Sequence, residues 1–305
     1  LLKNNDIISL SKFLEKDGFI MSNVIIIGNG PAGISASLYI KRAGIETTII
    51  GKDYGALSKA SEIENYYGFS DPIPGTVLVE NGIAGAKRLG VEFITDEVLS
   101  ITYEEKLTVV TKSCKYEADS IIIATGSSRT TPKINGLAEF EGRGISYCAV
   151  CDAFFYKNLH VAVLGNGEYA LHEALVLSQT SASVTILTNG LEPTTTIPNH
   201  ILVNKNPIDS FTGTNILEEI HFSNGETLSV SGLFIALGVA GSTALARTLG
   251  AAIDNNKIVV DEHMSTTIPG IFAAGDCTGG FLQISKAVYE GAKAGTEVIR
   301  FLKNI

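Results

Sequence analysis

Two stretches of this chain read almost alike, and they constrain its fold more than any other feature. Val24–Ile27 runs into Gly28-Asn29-Gly30-Pro31-Ala32-Gly33, and Val161–Leu164 runs into Gly165-Asn166-Gly167-Glu168-Tyr169-Ala170. Each apolar, partly β-branched run ends in a glycine turn. Helical spacing follows, to Arg42 in the first case and over Leu171–Ser178 in the second. Gly44 stands where a helix of the first unit would terminate. A second strand-like run completes each unit, at Thr47–Ile50 and at Val184–Leu187. Strand, tight glycine turn, helix and strand close as a βαβ unit with parallel strands. Two such units predict an α/β protein with two nucleotide-binding-type domains.

The rest of the chain fits that plan. Strand patterns lie near Val91–Ile94, Leu99–Thr102 and Thr108–Thr111, and Ile121–Ile123 leads into the turn Ala124-Thr125-Gly126. Gly232–Leu237 and Ile271–Gly275 are further apolar strands, and Ser285–Leu302 reads as a closing helix. With 305 residues the chain is long enough for two ordinary cores. Residues 1–20 mix charges with short apolar clusters. Ile7, Ile8, Leu10 and Leu14 suit a short amphipathic helix, expected as an extension outside the main fold. They lack the continuous apolar core of a signal peptide. No apolar run approaches the roughly 20 residues of a membrane span. A membrane partner is therefore not expected, and the cytoplasm is the default compartment. The net charge of −9, without a Lys/Arg run, argues against nucleic acid as a partner.

The chemistry concentrates at a few positions. Glycines between a strand and a helix let the backbone approach a pyrophosphate, and the helix start adds N–H donors. The first cluster has this GxGxxG form. The strand after it ends Ile49-Ile50-Gly51, with no acidic residue for a ribose, so the cluster alone does not choose between FAD and NAD. Cys148-Ala149-Val150-Cys151 has the spacing that closes a small disulfide ring. One sulfur of such a pair attacks another protein's disulfide and the other resolves the mixed disulfide. Half a zinc site is the rival reading, but Cys114, Cys277 and five scattered histidines supply no second pair of ligands. Buried structural thiols are another. The following Asp152-Ala153-Phe154-Phe155-Tyr156 offers a carboxylate to move protons and an apolar surround, and a plain helix N-cap is the alternative for Asp152. Gly275-Asp276, after an apolar strand, is a candidate for a ribityl or ribose hydroxyl. Cys277 reads as a buried filler and Cys114 as incidental.

Assembled in order, GNGPAG, ALSKASEIENYYGF, ATG, CAVCD, a second glycine turn, AAGDC and LQISKAVYEG resemble the low-molecular-weight thioredoxin reductases, a group of flavoprotein disulfide reductases. The resemblance covers the chain from Met21 onward. It implies FAD as cofactor and two Rossmann-like three-layer domains. The FAD domain would be discontinuous, with residues 21–129 and 252–305 flanking an inserted dithiol domain at 130–251. Gly28, Gly30 and Gly33, with Pro31 and Ala32 in the same turn, would hold the pyrophosphate. Ala124, Thr125 and Gly126 would border the cofactor. Asn65 would lie near the isoalloxazine, Gly275 and Asp276 at the ribityl chain, and Gln283 at the pyrimidine edge. Cys151 would face the flavin, Cys148 would attack thioredoxin, and Asp152 would be the acid/base. A homodimer and a rotation of the small domain that exposes the dithiol are also implied.

The sequence departs from the NADPH-dependent members at the second glycine turn. Those members carry a basic His-Arg-Arg motif after the second strand of the unit. Here Thr188-Asn189-Gly190-Leu191-Glu192-Pro193 follows that strand, and no Lys or Arg occurs before Lys205. Charge-assisted bonds to a 2′-phosphate, worth roughly 1.5–3 kcal/mol each, would be missing. Glu168 adds negative charge and Tyr169 adds bulk where a dinucleotide would pass. These features match the ferredoxin-dependent flavin branch, with reduced ferredoxin as donor and thioredoxin as acceptor. Lys286, Lys293, Arg300 and Lys303 are candidates for a basic docking patch for the acidic ferredoxin, with a solvated helix face as the alternative. An NADPH- or NADH-dependent thioredoxin reductase is the alternative, and a redox-sensing flavoprotein without turnover is an alternative of another class.

Overall fold

A computed structural model describes residues 20–103, 105–126, 132–238 and 240–304. The amphipathic helix expected within residues 7–14 lies outside the described residues. Along the chain the elements are β1 (Ile20–Ile27), α1 (Pro31–Arg42), β2 (Thr47–Gly51), α2 (Gly75–Arg88), β3 (Glu92–Thr95), β4 (Val98–Tyr103), β5 (Leu107–Thr111) and β6 (Lys115–Ile123). Next come α3 (Leu137–Phe140), β7 (Ile145–Ser146), α4 (Ala149–Asp152), β8 (His160–Leu164), α5 (Glu168–Ser178) and β9 (Ser183–Leu187). Strands β10 (Leu202–Asn204), β11 (Ile208–Thr212), β12 (Glu219–Phe222), β13 (Thr227–Ser229) and β14 (Gly232–Ile235) follow. The chain closes with α6 (Ser242–Thr248), β15 (Ile253–Asp254), β16 (Lys257–Ile258), β17 (Ile271–Ala273) and α7 (Ile284–Leu302).

The chain divides into two compact units, Leu1–Ser128 with Gly241–Ile305, and Arg129–Ala240. The second boundary falls at Ala240 rather than near Ala251, because α6 packs on β4 and β6 of the first unit. In the first unit the strands run β3-β2-β1-β6-β5-β4, with β17 also paired to β6. Strands β3, β2, β1, β6 and β17 are parallel, and β4 and β5 continue antiparallel from β6. The second unit holds a parallel sheet in the order β10-β9-β8-β14-β7 and a small antiparallel sheet β11-β12-β13. This is the expected α/β class, with Rossmann-like sheets in both units.

Residues of β1 and β6 alternate between two covered faces, so both strands are apolar throughout their inner parts. Ile25, Ile26, Ile121, Ile122 and Ile123 have no accessible surface. Burying each contributes about 1.5–3 kcal/mol. Helix α7 lies along α1 on one face, and small residues set how closely. A Cβ on Gly291 would stand 2.1 Å from the Ala32 carbonyl oxygen, and one on Gly295 would stand 2.6 Å from that of Ala36. Ser35 Oγ donates to the Val288 carbonyl across the same contact at 2.8 Å. Among the described residues no helix is long and apolar enough to cross a membrane.

Replacing Gly291 with Ala therefore forces α7 off α1. We expect a stability loss of about 1–3 kcal/mol, read as a lower urea midpoint. Gly85→Ala, at a helical position with open space around the new methyl, should be neutral or stabilising by about 0.5–1 kcal/mol. Equal midpoints for the two variants would refute the close-packing account.

Candidate functional site

In each unit the strand order reverses at the first strand of its βαβ repeat. β1 lies between β2 and β6, and β8 lies between β9 and β14. Crevices at such switch points open beyond the carboxyl ends of the strands. The two turns there are built alike. Gly28 N donates to the Ile50 carbonyl at 2.8 Å, and Gly165 N donates to that of Leu187 at 3.0 Å. A Cβ on Gly28 would lie 2.3 Å from the Ala124 carbonyl oxygen, and one on Gly165 would lie 2.2 Å from that of Ala236. Gly28 also has φ +114°, where an L side chain is strained. Gly33 closes the first turn from within, since a Cβ there would meet the Gly28 carbonyl oxygen at 1.9 Å.

The turns differ where a dinucleotide must approach. At Gly30 a Cβ would find nothing within 4 Å, whereas at the equivalent Gly167 it would lie 3.4 Å from Thr194 Oγ1. The segment after β9 returns over the second turn. Thr194 N and Oγ1 donate to the Asn166 carbonyl at 2.7 and 3.2 Å, and Asn166 Nδ2 donates to the Glu192 carbonyl at 3.0 Å. Thr195 Oγ1 donates to Glu168 Oε1 at 2.8 Å, and Lys205 is paired with Glu192 at 2.6 Å. The closure expected from Tyr169 comes instead from Thr194. Tyr169 is buried, with its hydroxyl toward the Tyr147 carbonyl at 3.5 Å.

In the first unit several of the expected residues surround the open turn. Thr125 follows β6, and its buried Oγ1 has no hydrogen-bond partner among the described residues. Such an orphan costs about 1–3 kcal/mol unless a ligand satisfies it, and a cofactor over this turn would do so. Ala124 N donates to the Ile27 carbonyl at 2.8 Å, which holds the end of β6 against the turn. Asn65 Nδ2 donates to Gln283 Oε1 at 3.1 Å, so residues 218 apart in sequence meet. Gly275 and Asp276 form the turn after β17. Sequence reasoning missed what holds that turn. Glu290 Oε2 accepts from Gly275 N and Thr278 Oγ1, both at 2.8 Å, and pairs with Lys286 at 3.0 Å. Lys286 Nζ also donates to the Gly275 carbonyl at 2.8 Å. The Lys286–Glu290 spacing of one helical turn was the available signal.

That network removes Lys286 from the candidate basic patch. Lys286 is directed inward rather than toward a partner. Lys293 lies over the Tyr289 ring, 5.8 Å from its centroid, and Arg300 is paired with Glu297 at 2.7 Å.

In the second unit Cys148 and Cys151 form a disulfide. Among the described residues no group of three or more His, Cys, Asp or Glu is arranged to hold a metal ion. Cys148 caps the four-residue α4, and its Sγ accepts from Cys151 N at 3.2 Å. Cys148 is buried and Cys151 exposed. Asp152 is not a side-chain helix cap. Its Oδ2 accepts from Ser146 Oγ at 2.6 Å, and Ser146 Oγ accepts from Cys148 N at 3.1 Å, so Ser146 ties the carboxylate to the dithiol turn. Burial, then the Asp152 charge, raises the Tyr156 phenol. The apolar surround expected from Phe154 and Phe155 is instead an exposed pair of rings, 80% and 73% accessible. A second residue missed from sequence is Glu173 on α5, whose Oε2 accepts from Ala149 N at 2.7 Å. A lone acid on the inward face of ALHEALVL was its only signal.

The remaining cysteines differ. Cys114 is exposed, while burial pushes the Cys277 thiol up to about 12. A raised thiol pKa keeps the unreactive protonated form through neutral and mildly basic pH. Alkylation of the oxidised native protein at about pH 8 should label Cys114 and leave Cys277 untouched, as read by peptide mass spectrometry. Prompt labelling of Cys277 would contradict this placement.

The pattern of the pyridine nucleotide-disulphide oxidoreductase family matches residues 22–291. The chain is 35% identical to the thioredoxin reductase of Rickettsia prowazekii, over 93% of this chain and 99% of that one. It is 34% identical to that of Listeria innocua, over 93% and 94%. Among solved structures, the atypical thioredoxin reductase TRi from Desulfovibrio vulgaris Hildenborough is 40% identical over 93% of this chain and 98% of its own, with a TM-score of 0.88. A ferredoxin-flavin thioredoxin reductase from Clostridium acetobutylicum is 28% identical over 93% and 99%, with a TM-score of 0.70. By its open first glycine turn, its dithiol and these likenesses, the chain belongs to the pyridine nucleotide-disulphide oxidoreductase family, as a FAD-dependent enzyme of the thioredoxin reductase type.

Proposed function

We propose that this chain reduces thioredoxin with electrons taken from reduced ferredoxin rather than from a nicotinamide. The observation that carries the donor is the second glycine turn, which is roofed by the chain's own Thr194 and Thr195. A pyrophosphate there would have to displace those bonds and face the Glu168 carboxylate. The segment 188–204 also holds no Lys or Arg for a 2′-phosphate. The likeness to the Clostridium acetobutylicum enzyme, named for ferredoxin, supports the same reading. The chain works as a homodimer in this reading.

The first unit holds the cofactor. Gly28, Gly30, Pro31, Ala32 and Gly33 cradle its pyrophosphate, and Ala124, Thr125 and Gly126 border it, with Thr125 Oγ1 given a partner. Gly275 and Asp276 hold its ribityl chain. Asn65 and Gln283, already hydrogen-bonded to each other, lie at the flavin ring. FAD, when bound, accepts electrons from the donor and supplies the pair that opens the Cys148–Cys151 disulfide. The chain's own residues carry the rest. Cys148 as thiolate attacks one sulfur of the thioredoxin disulfide. Cys151 then attacks Cys148 in the mixed disulfide and releases thioredoxin as a dithiol. Asp152, held by Ser146 beside this turn, delivers the proton to the leaving thiolate. Cys148 is buried in the oxidised chain, so its attack requires that it be uncovered. The exposed rings of Phe154 and Phe155 beside the pair offer thioredoxin an apolar landing surface.

The test is an anaerobic flavin absorbance titration with NADPH, NADH and reduced ferredoxin, with thioredoxin reduction followed in parallel. Only ferredoxin should bleach the flavin and sustain turnover. Rapid reduction by either nicotinamide would overturn the donor assignment and leave a nicotinamide-dependent thioredoxin reductase. Cys148→Ser should lower thioredoxin turnover by about 10³-fold or more while retaining the flavin. Gly30→Ala, with its methyl in open space, should fold normally yet lose FAD on dialysis, read from the flavin-to-protein absorbance ratio.

A further inference from the structure

We propose that Glu173 is a second proton-holding group of the dithiol centre, binding one proton when the Cys148–Cys151 disulfide is reduced and releasing it when the disulfide reforms. The inference rests on the pair being the redox centre. Glu173 has 2% of its surface exposed, and its carboxylate reaches the amide of Ala149, the residue next to Cys148, at 2.7 Å. Helix α5 carries it, and α5 packs against α4, β8 and β9. A carboxylate in that position has lost its water and has this backbone N–H in exchange. Burial pushes it up to about 7, against the smaller opposing effect of the Ala149 hydrogen bond. The group therefore sits at its ionisation threshold in the oxidised protein.

The neighbouring charges decide what reduction does to it. The titratable groups of α4 and its cap are Cys148, Cys151 and Asp152, with Tyr147 just before them. On α5 itself are Glu168, Tyr169 and His172, and burial lowers the His172 pKa, so that ring is neutral. The inner residues of β8 and β9, 161–164 and 184–187, include no titratable group. No cation among these offsets a new negative charge. In the disulfide Cys148 is uncharged. Reduction breaks the S–S bond with two electrons from the flavin. One sulfur takes a proton and becomes a thiol, and the other is left as a thiolate. That sulfur is Cys148, whose Sγ already accepts the Cys151 amide. A thiolate next to Ala149 repels an ionised Glu173 and raises its proton affinity further. The second proton then resides on Glu173 and not on sulfur, so Cys148 stays nucleophilic without a buried pair of like charges. Reoxidation by thioredoxin removes the two electrons and returns both protons.

The test compares wild type with Glu173→Gln, which keeps an acceptor for Ala149 N but cannot titrate. Each is equilibrated with dithiothreitol across pH and the thiols are trapped by alkylation. Dithiothreitol, with thiol pKa values near or above the ordinary value of about 8.5, serves as a common reference. Below about pH 6, Glu173 is protonated in both redox states, so the ratio of the wild-type to the variant exchange constant should not vary. Above about pH 7, wild type takes up one proton more per electron pair, and the ratio should fall about tenfold per pH unit. Glu173→Asp, which retains a titratable carboxyl, should follow wild type. A ratio that is constant over the whole range shows a purely structural residue and overturns the proposal. Failure of the pair to exchange with dithiothreitol at all would instead overturn the dithiol assignment. Should Glu173→Gln not fold, reduced-minus-oxidised infrared spectra near pH 7.5, about half a unit above the threshold, provide the second measurement. A protonated-carboxyl stretch must appear on reduction and persist in Asp152→Asn, and its absence overturns the role.

Discussion

The close approach of a glycine turn to the end of a neighbouring strand is the contact on which both halves of this protein depend. Gly28 lies under the Ala124 carbonyl and Gly165 lies under that of Ala236, at distances no Cβ tolerates. The strand ladder forces the contact, because β1 is hydrogen-bonded to β6 and β8 to β14 in parallel register. A side chain at either glycine would separate the strands just where the crevice opens. The price of any substitution is therefore felt in the sheet before it is felt in ligand binding.

From that shared frame the two turns diverge through one segment each. After β2 the chain leaves the first turn clear, and Gly30 faces open space. After β9 the chain comes back, and Thr194 and Thr195, bonded to the Asn166 carbonyl and the Glu168 carboxylate, occupy the space over the turn that a bound dinucleotide would need. The hydrogen bonds are individually modest, at about 0.5–1.5 kcal/mol net each. Their weight lies in number and in sign. A ligand entering there displaces several of them and gains proximity to the Glu168 carboxylate. One scaffold thus leaves the turn open in one copy and covers it with its own chain in the other.

The architecture was legible in the sequence because its signals are local. An apolar run, a glycine cluster and a helical period occupy adjacent residues, so β1–α1–β2 and β8–α5–β9 stand out without tertiary information. The Cys148–Cys151 spacing is local in the same sense. What escaped is long-range. Asn65 meets Gln283, and Glu290 secures the turn at Gly275, through packing that only the assembled sheet and α7 create. Tyr169 was misread because its neighbours in sequence lie at the turn while its ring is directed away from it, toward Tyr147. The placement of Lys286 was misread for the corresponding reason. A lysine on an amphipathic helix reads as solvated, and only the folded turn after β17 offers it three acceptors.

The dithiol turn shows how burial and reactivity are reconciled. A buried Cys148 gains protection from adventitious oxidants, but its thiolate then sits where water does little to stabilise charge. Two carboxyls reach the same short segment from opposite ends of its hydrogen-bond pattern. Asp152 reaches it through Ser146, and Glu173 reaches it directly through the Ala149 amide. Were both ionised beside a thiolate, three negative charges would share one turn with no cation among the groups facing Glu173. Proton uptake with the electrons would relieve that repulsion, and the half-buried Asp152 and the fully buried Glu173 are not equivalent places for the proton. In the proposed scheme the half-buried Asp152 exchanges protons with solvent and with the leaving thiolate, while the buried Glu173 retains its proton for as long as the sulfur beside it carries the charge.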